Sequence, residues 1–146
     1  MFKTALLALH CLTGYGAQTN FNPYLHCSSG HLDEMVNFLN QLNKNQREEL
    51  INRPDQNNMT CLHHAALNGH TLITQLLIKN GAHLNVITNE HFTPLHFAAM
   101  HNHHEVAHVL IKGGADVGAQ GFCRMTPLFM AARFKHILTV QLLFEH

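Results

Sequence analysis

The sequence repeats itself three times, as MTCLHHAALNGH at 59–70, FTPLHFAAMHNH at 92–103 and MTPLFMAARFKH at 125–136. The three segments align without a gap, so equivalent residues are 33 positions apart along the chain. Each segment is followed in register by a short apolar run. Self-similarity at such a period indicates a stack of small units, in which no single unit buries its own apolar face.

Each unit is predicted to be a pair of short helices. Thr93 is placed to cap a helix, and Pro94 follows at the first helical position, where a missing amide hydrogen costs nothing. Ala98 and Ala99 then lie on one face of that helix, and their small side chains let neighbouring helices approach closely. A second apolar stripe with helical spacing follows a short turn, which predicts the second helix.

The repeated segments closely resemble the ankyrin repeat family, whose units carry Thr-Pro-Leu-His-x-Ala-Ala followed by Gly-His and a second apolar helix. The resemblance implies an all-α solenoid of helix-turn-helix units with short β-turn or hairpin tips. It also implies a non-enzymatic protein that binds other proteins.

The chain is expected to divide along this period. We assign 55–87, 88–120 and 121–146 to three clear repeats, the last of them truncated at its C-terminal end. Residues 23–54 resemble a degenerate repeat with an extra helical turn, and residues 1–22 form a separate N-terminal segment.

The N-terminal segment fits two interpretations. Phe2, Leu6 and Leu9 lie on one face of a helix that would pack on the repeats. Residues 1–17 also have the outline of a secretory signal peptide. The first interpretation predicts a cytoplasmic protein and the second a secreted one.

Two positions of the repeat lack the glycine that the family places there. The tip glycine is replaced by Asn58, His91 and Arg124, and the glycine after the first helix of the last repeat is replaced by Lys135. Because positive φ is least costly for glycine and then asparagine, we expect altered tips at His91 and Arg124.

Composition excludes several classes of function. The nine Lys and Arg residues balance nine Asp and Glu residues and are scattered, which argues against nucleic acid as a partner. No apolar run approaches the roughly 20 residues that span a membrane. The four cysteines contain no Cys-x-x-Cys pair, so we expect reduced thiols without a zinc framework or a dense disulfide scaffold.

Fifteen histidines are an unusual number for a chain of this length, and they suggest a metal site or proton chemistry. The resemblance implies that six of them bond threonines and backbone groups of adjacent repeats; these are His31, His63, His70, His96, His103 and His136. His104 and His108 are one helical turn apart and, with His101, are the candidate metal ligands. Because no further ligand is placed near them, the sequence predicts no functional metal site and no cofactor.

Catalytic motifs are also missing from the sequence. Cys61 is the one thiol beside a histidine, but the resemblance commits His63 to a bond with a threonine. No nucleophile elbow and no glycine-rich phosphate-binding loop occurs. The sequence therefore predicts that the protein is not an enzyme.

Function is then expected at the positions that the scaffold leaves free, which in this family are the tips and the C-terminal ends of the first helices on the concave face. Many of these residues are apolar, as interface residues often are. The predicted partner-binding residues are Met59, Leu67, Glu90, Phe92, Met100, His101, Phe122, Met125, Arg133 and Phe134. The larger apolar residues would anchor a partner protein and Glu90 and Arg133 would form its polar rim. Alternatively, Met59, Phe92 and Met125 fold inward as hydrophobic staples.

Three other hypotheses remain open at this point. The protein could bind metal or respond to pH through its histidines, or it could be the targeting arm of a secreted effector. Self-association through the C-terminal helix, which carries Leu143 and Phe144, is a further expectation because a solenoid end needs a polar cap.

Overall fold

The computed structural model describes residues 21–146, which form nine α-helices and one 3₁₀ turn. The predicted helix pairs are confirmed, with one additional helix inserted after the first pair. The helices are α1 (Pro23–Ser29), α2 (Leu32–Asn40), α3 (Lys44–Asn52), α4 (Cys61–Leu67), α5 (Thr71–Lys79), α6 (Pro94–Met100), α7 (His104–Lys112), α8 (Pro127–Arg133) and α9 (Ile137–Phe144).

The two interpretations of residues 1–17, and the location that follows from each, lie outside the described residues. Sequencing the N-terminus of the mature protein would separate them, because a signal peptide is removed and a packed helix is not. Within residues 21–146, the helices are all too short or too polar to span a membrane.

The helices pack in two layers. The first helices of the pairs, α1, α4, α6 and α8, lie side by side in one layer, and the second helices, α2, α5, α7 and α9, form the other. Ala65, Ala66, Ala98 and Ala99 are fully buried between neighbouring first helices, as their small size predicts. Each repeat therefore buries its apolar face against the next one.

The insertion before the first clear repeat is a complete helix, α3, and is longer than the single extra turn that the sequence suggested. It begins with a capping box, in which the Asn43 side chain accepts from the Gln46 amide and the Gln46 side chain accepts from the Asn43 amide, both at 3.0 Å. Ile51 is its one fully buried residue. The helix is mostly polar, so its apolar periodicity is too weak to reveal its length from sequence.

The tips between the helix pairs share one hydrogen-bonding pattern. Each is a five-residue turn closed by the amide of its first residue, which donates to the carbonyl oxygen of its fifth. The pairs are Asp55 and Met59 at 2.8 Å, Thr88 and Phe92 at 3.0 Å, and Gly121 and Met125 at 2.8 Å.

The fourth residue of every tip has a positive φ although none is glycine. Asn58, His91 and Arg124 have φ values of 60°, 65° and 60°. The expectation of altered tips is therefore wrong for His91, whose tip keeps the regular shape. It holds for Arg124, because Cys123 also has a positive φ of 55° and a 3₁₀ turn forms over Phe122–Arg124. Lys135 likewise adopts the left-handed conformation, with φ 60°, at the end of α8.

Candidate functional site

Two buried histidines connect the second and third tips, each to the repeat before it. The backbone amide of Thr60 donates to His63 Nδ1 at 3.0 Å, so this nitrogen is an acceptor and the proton of the ring is on Nε2. His63 Nε2 lies 3.2 Å from the carbonyl oxygen of Phe92 in the next tip and donates to it. His96 repeats the arrangement, donating to the carbonyl oxygen of Met125 at 2.9 Å.

A second row of histidines reaches back to the preceding repeat. Because a carbonyl oxygen only accepts, the Nε2 atom of each ring carries the proton. The donors are His70, His103 and His136, and their acceptors are the carbonyl oxygens of Ser28 at 2.8 Å, Leu67 at 3.1 Å and Met100 at 3.0 Å. These five histidines are structural connections between repeats, as the resemblance implied. For the sixth, His31, the expectation is not met within residues 21–146, because its ring bonds Ser29 of the same repeat.

Burial keeps the first row of histidines neutral. It lowers the pKa of His63 to about 4, although the bond to Phe92 acts in the opposite direction. It also lowers the pKa of His96. Neither ring is charged at neutral pH, so neither is suited to sensing pH near 7.

The family model for ankyrin repeats matches residues 24–121 of this chain in three copies. The protein belongs to the ankyrin repeat family. The match includes the degenerate N-terminal repeat, and the α8–α9 pair beyond it repeats the same tip closure and histidine bond. No curated protein matches the chain. Ankyrin repeats generally mediate protein–protein interaction and are typically non-enzymatic.

Phe92, one of the predicted partner-binding residues, is buried in this ankyrin repeat protein. Its side chain is only 9% exposed and packs against the rings of His96 and Phe97, with centroid distances of 5.4 and 6.2 Å. A Cβ atom on Gly121 would lie 2.5 Å from the Phe92 ring, so the glycine leaves the space that the ring fills. Phe92 therefore takes the alternative inward position.

Four other predicted residues are half-buried. Met100 and Met125 pack against the hydrophobic core and expose only part of their side chains. Met59 and Leu67 have a similar intermediate burial. These four can contribute to a contact surface only through the part of each side chain that remains exposed.

The remaining predicted residues are exposed. Phe122 is 61% exposed in the last tip, and Phe134 is 47% exposed at the end of α8, where it stacks on His136 with a centroid distance of 6.0 Å. His101 occupies the position of Phe134 one repeat earlier, and because first helices pack side by side, the two belong to one row. Glu90 is exposed in the tip before that of Phe122, and Arg133 is exposed at the end of α8.

The sequence interpretation missed one exposed aromatic residue. Phe129 replaces the histidine of the Thr-Pro-Leu-His motif in the last repeat and is exposed on α8. The sequence did carry a signal, because the two earlier repeats have a histidine at this position, His63 and His96, and the last repeat has a phenylalanine. Those two histidines bond the next tip, a role that Phe129 cannot take.

The structure does not assemble the metal ligands that the sequence suggested. His104 Nδ1 pairs with Glu105 Oε2 at 3.2 Å, and the His101 ring stacks on that of His103. Of the residues that the structure describes, the only three His, Cys, Asp or Glu side chains with mutually close ligand atoms are those of His26, His31 and Glu34.

The two buried thiols of the described residues, Cys27 and Cys61, also lack the arrangement of a catalytic site. Cys61 is fully buried at the start of α4, and its neighbour His63 is held by Thr60 and Phe92. A hydrogen bond with Cys61, together with burial, raises the pKa of Cys27 far above its usual range. A buried thiol with a raised pKa, such as Cys27, is a poor nucleophile.

Proposed function

We propose that this ankyrin repeat protein captures a partner protein on an exposed apolar surface of its last repeat, with Phe122 and Phe134 as anchors. The observation that carries the proposal is the exposure of these two aromatic side chains on the tip and the first-helix end. Aromatic residues are enriched at interface cores, so exposed aromatic side chains such as these are suited to anchor a partner. Removing such an anchor typically costs about 2 kcal/mol or more of binding free energy.

The surface extends from the anchors toward the repeat before. Met100 and His101 lie at the end of α6, one repeat before Arg133 and Phe134. Arg133 supplies a positive charge next to the aromatic anchor and Glu90 a negative one at the preceding tip. The half-buried Met59, Leu67 and Met125 add smaller contact areas.

The charge of the chain favours a contact formed mainly by packing. Its nine basic and nine acidic residues cancel, so long-range attraction of a charged partner is weak. We therefore expect the rate of association to change little with ionic strength, because electrostatic steering is the salt-dependent part of association.

Affinity capture with the full chain tests the proposal. The double variant Phe122→Ala, Phe134→Ala should lose the partners that the wild-type chain retains from extracts of its own organism. Leu72→Ala is the matched control, because Leu72 is also 61% exposed but lies on α5 in the second layer. Equal capture by the double variant and the wild-type chain would refute the assignment of the anchors.

A second copy of the chain is the other candidate partner. Ile137 and Phe144 lie two turns apart on α9 and are both strongly exposed, as is Leu138. Sedimentation velocity should show a dimer that dissociates on Ile137→Ser and Phe144→Ser substitution. A wild-type chain that stays monomeric at about 100 µM, roughly a hundred times a micromolar dissociation constant, would exclude this candidate.

A further inference from the structure

The turn between α1 and α2 brings two histidines and a glutamate together. His26 lies near the end of α1, His31 immediately precedes α2, and Glu34 is in the first turn of α2. One ligand atom of each lies within 4.8 Å of those of the other two, and His26 Nδ1 is 3.1 Å from Glu34 Oε2. Gly30, with φ 79°, makes the left-handed turn that closes this arrangement.

The ankyrin scaffold does not require His26 or Glu34. When this repeat is aligned with the next two at the left-handed residue after the first helix, both fall on positions that are apolar and buried elsewhere. The equivalents are Ala65 and Ala98 for His26, and Ile73 and Val106 for Glu34. A polar group that is buried at such a position costs stability unless it is partnered. His26 is largely buried and therefore calls for a ligand or a bond, whereas Glu34 is exposed to solvent.

Among the described residues, the Nδ1 atom of His26 has no hydrogen-bond partner. The His26 side chain is 14% exposed, and Nδ1 is a buried polar atom that no group of residues 21–146 satisfies. Glu34 Oε2 is close to it but is not aligned as a hydrogen-bond partner. The ring is held in place by stacking on Phe21, with a centroid distance of 4.4 Å. A cation between Nδ1 and Oε2 would satisfy both atoms.

Within residues 21–146, His31 does not make the bond to a preceding carbonyl oxygen that its equivalents make. Those residues, His70, His103 and His136, use Nε2 to bond the preceding repeat. The His31 Nδ1 atom instead lies 3.0 Å from Ser29 Oγ.

The direction of that bond follows from the second contact of the serine. Ser29 Oγ is 2.7 Å from the carbonyl oxygen of Leu25, which takes the hydroxyl proton. Ser29 therefore accepts from His31 Nδ1–H, and the lone pair of the His31 ring is on Nε2. Metal-binding histidines are commonly oriented in this way, by a hydrogen bond at the nitrogen that does not bind the ion.

We propose that His26, His31 and Glu34 bind a zinc ion at the N-terminal repeat. Two imidazoles and a carboxylate are donors that zinc accepts, and ligands of a tetrahedral zinc ion lie roughly 3.3 Å from one another. The separation of His26 Nδ1 and Glu34 Oε2, 3.1 Å, is close to that value. His31 and Glu34 are exposed, so their side chains can close the remaining distance. The fourth position of the ion faces solvent or a donor atom from a partner.

Calorimetric titration with zinc chloride tests the site on the full chain, purified without a polyhistidine tag and freed of metal by a chelator. We expect one zinc ion per chain. His26→Ala and Glu34→Gln should each weaken binding at least about tenfold, as loss of groups that hold a metal does. Alanine is compatible with the fold at position 26, because Ala65 and Ala98 are buried at the equivalent positions.

Two further variants distinguish binding at the proposed zinc ligands from binding by other histidines of the chain. Ser29→Ala should weaken zinc binding about tenfold without changing helical content, because it removes the hydrogen bond that orients His31 and, besides it, only the exposed bond from the serine hydroxyl to the Leu25 carbonyl oxygen. The double variant His104→Ala, His108→Ala should bind zinc as the wild-type chain does. The proposal is overturned if the wild-type chain binds no stoichiometric zinc, if Glu34→Gln leaves the affinity unchanged, or if binding is lost in the His104 and His108 variant.

Discussion

The Nε2 atom of His63 in one repeat lies 3.2 Å from the carbonyl oxygen of Phe92 in the next. The same carbonyl oxygen accepts from the amide of Thr88, which closes the tip. One buried hydrogen-bonded group thus fixes both the shape of a tip and its attachment to the neighbouring repeat. Because the bond needs a proton on Nε2 and a lone pair on Nδ1, it requires a neutral imidazole.

Acid should therefore destabilise the protein through His63. Burial lowers its pKa to about 4 in the folded chain, whereas the unfolded chain has a histidine pKa near 6.5. Between these values the unfolded state binds the proton and the folded state does not, so stability falls as the pH falls through this window. His96 acts in the same direction.

Urea denaturation at pH 7 and pH 4.5 measures this effect. At about 1.4 kcal/mol per pKa unit, His63 should account for roughly 2–3 kcal/mol of the loss. His63→Gln should be less stable at pH 7 but should lose correspondingly less between the two pH values. An identical loss in variant and wild-type chains would show that His63 does not titrate as its burial requires.

Phe92→Ala should lower the stability of the fold. The ring is buried over Gly121, so its removal leaves a cavity that costs about 3 kcal/mol of the free energy of unfolding. Phe122→Ala removes an exposed ring and should change stability by less than about 0.5 kcal/mol. Urea unfolding midpoints of the two variants give the comparison, and equal midpoints would contradict the burial of Phe92.

Alanine substitutions at Gly69 and Gly114 allow the cost of backbone strain to be measured with and without a steric conflict. Both have a positive φ, 74° and 98°, but a Cβ atom on Gly69 would lie 2.5 Å from His103 Nδ1, whereas one on Gly114 meets no atom within 4 Å. Gly114→Ala should cost about 1 kcal/mol, the usual cost of alanine in this backbone region.

Gly69→Ala should cost clearly more than Gly114→Ala, because the His103 ring must also move and strain its bond to Leu67. Thermal unfolding of the two variants measures the difference. A smaller loss in Gly69→Ala than in Gly114→Ala would show that the His103 ring does not pack over the turn.

The helix pairs could be predicted from the sequence because their signals are local and recur with the period. The burial of Phe92 could not, since a phenylalanine in a tip is equally compatible with an inward or an outward ring. What decides it is the space over Gly121, which lies in the next tip. Phe122, in that next tip, points outward instead.

The cluster of His26, His31 and Glu34 escaped the sequence analysis for a different reason. Its ligands lie on two helices and the turn between them, at spacings that match no metal-binding motif, and its convergence depends on the left-handed turn at Gly30. A signal was nevertheless present, because His26 and Glu34 occupy positions where the next two repeats have apolar residues.

Site-specific photo-crosslinking tests the central claim, that a partner protein sits on the surface around Phe122 and Phe134, most directly. A photoreactive phenylalanine analogue would be placed at position 122, 134 or, as the control, 72, and the full chain irradiated with its captured partner. We predict crosslinks to the partner from positions 122 and 134 and none from 72. Crosslinks from position 72 alone would place the partner on the second helix layer and contradict the account.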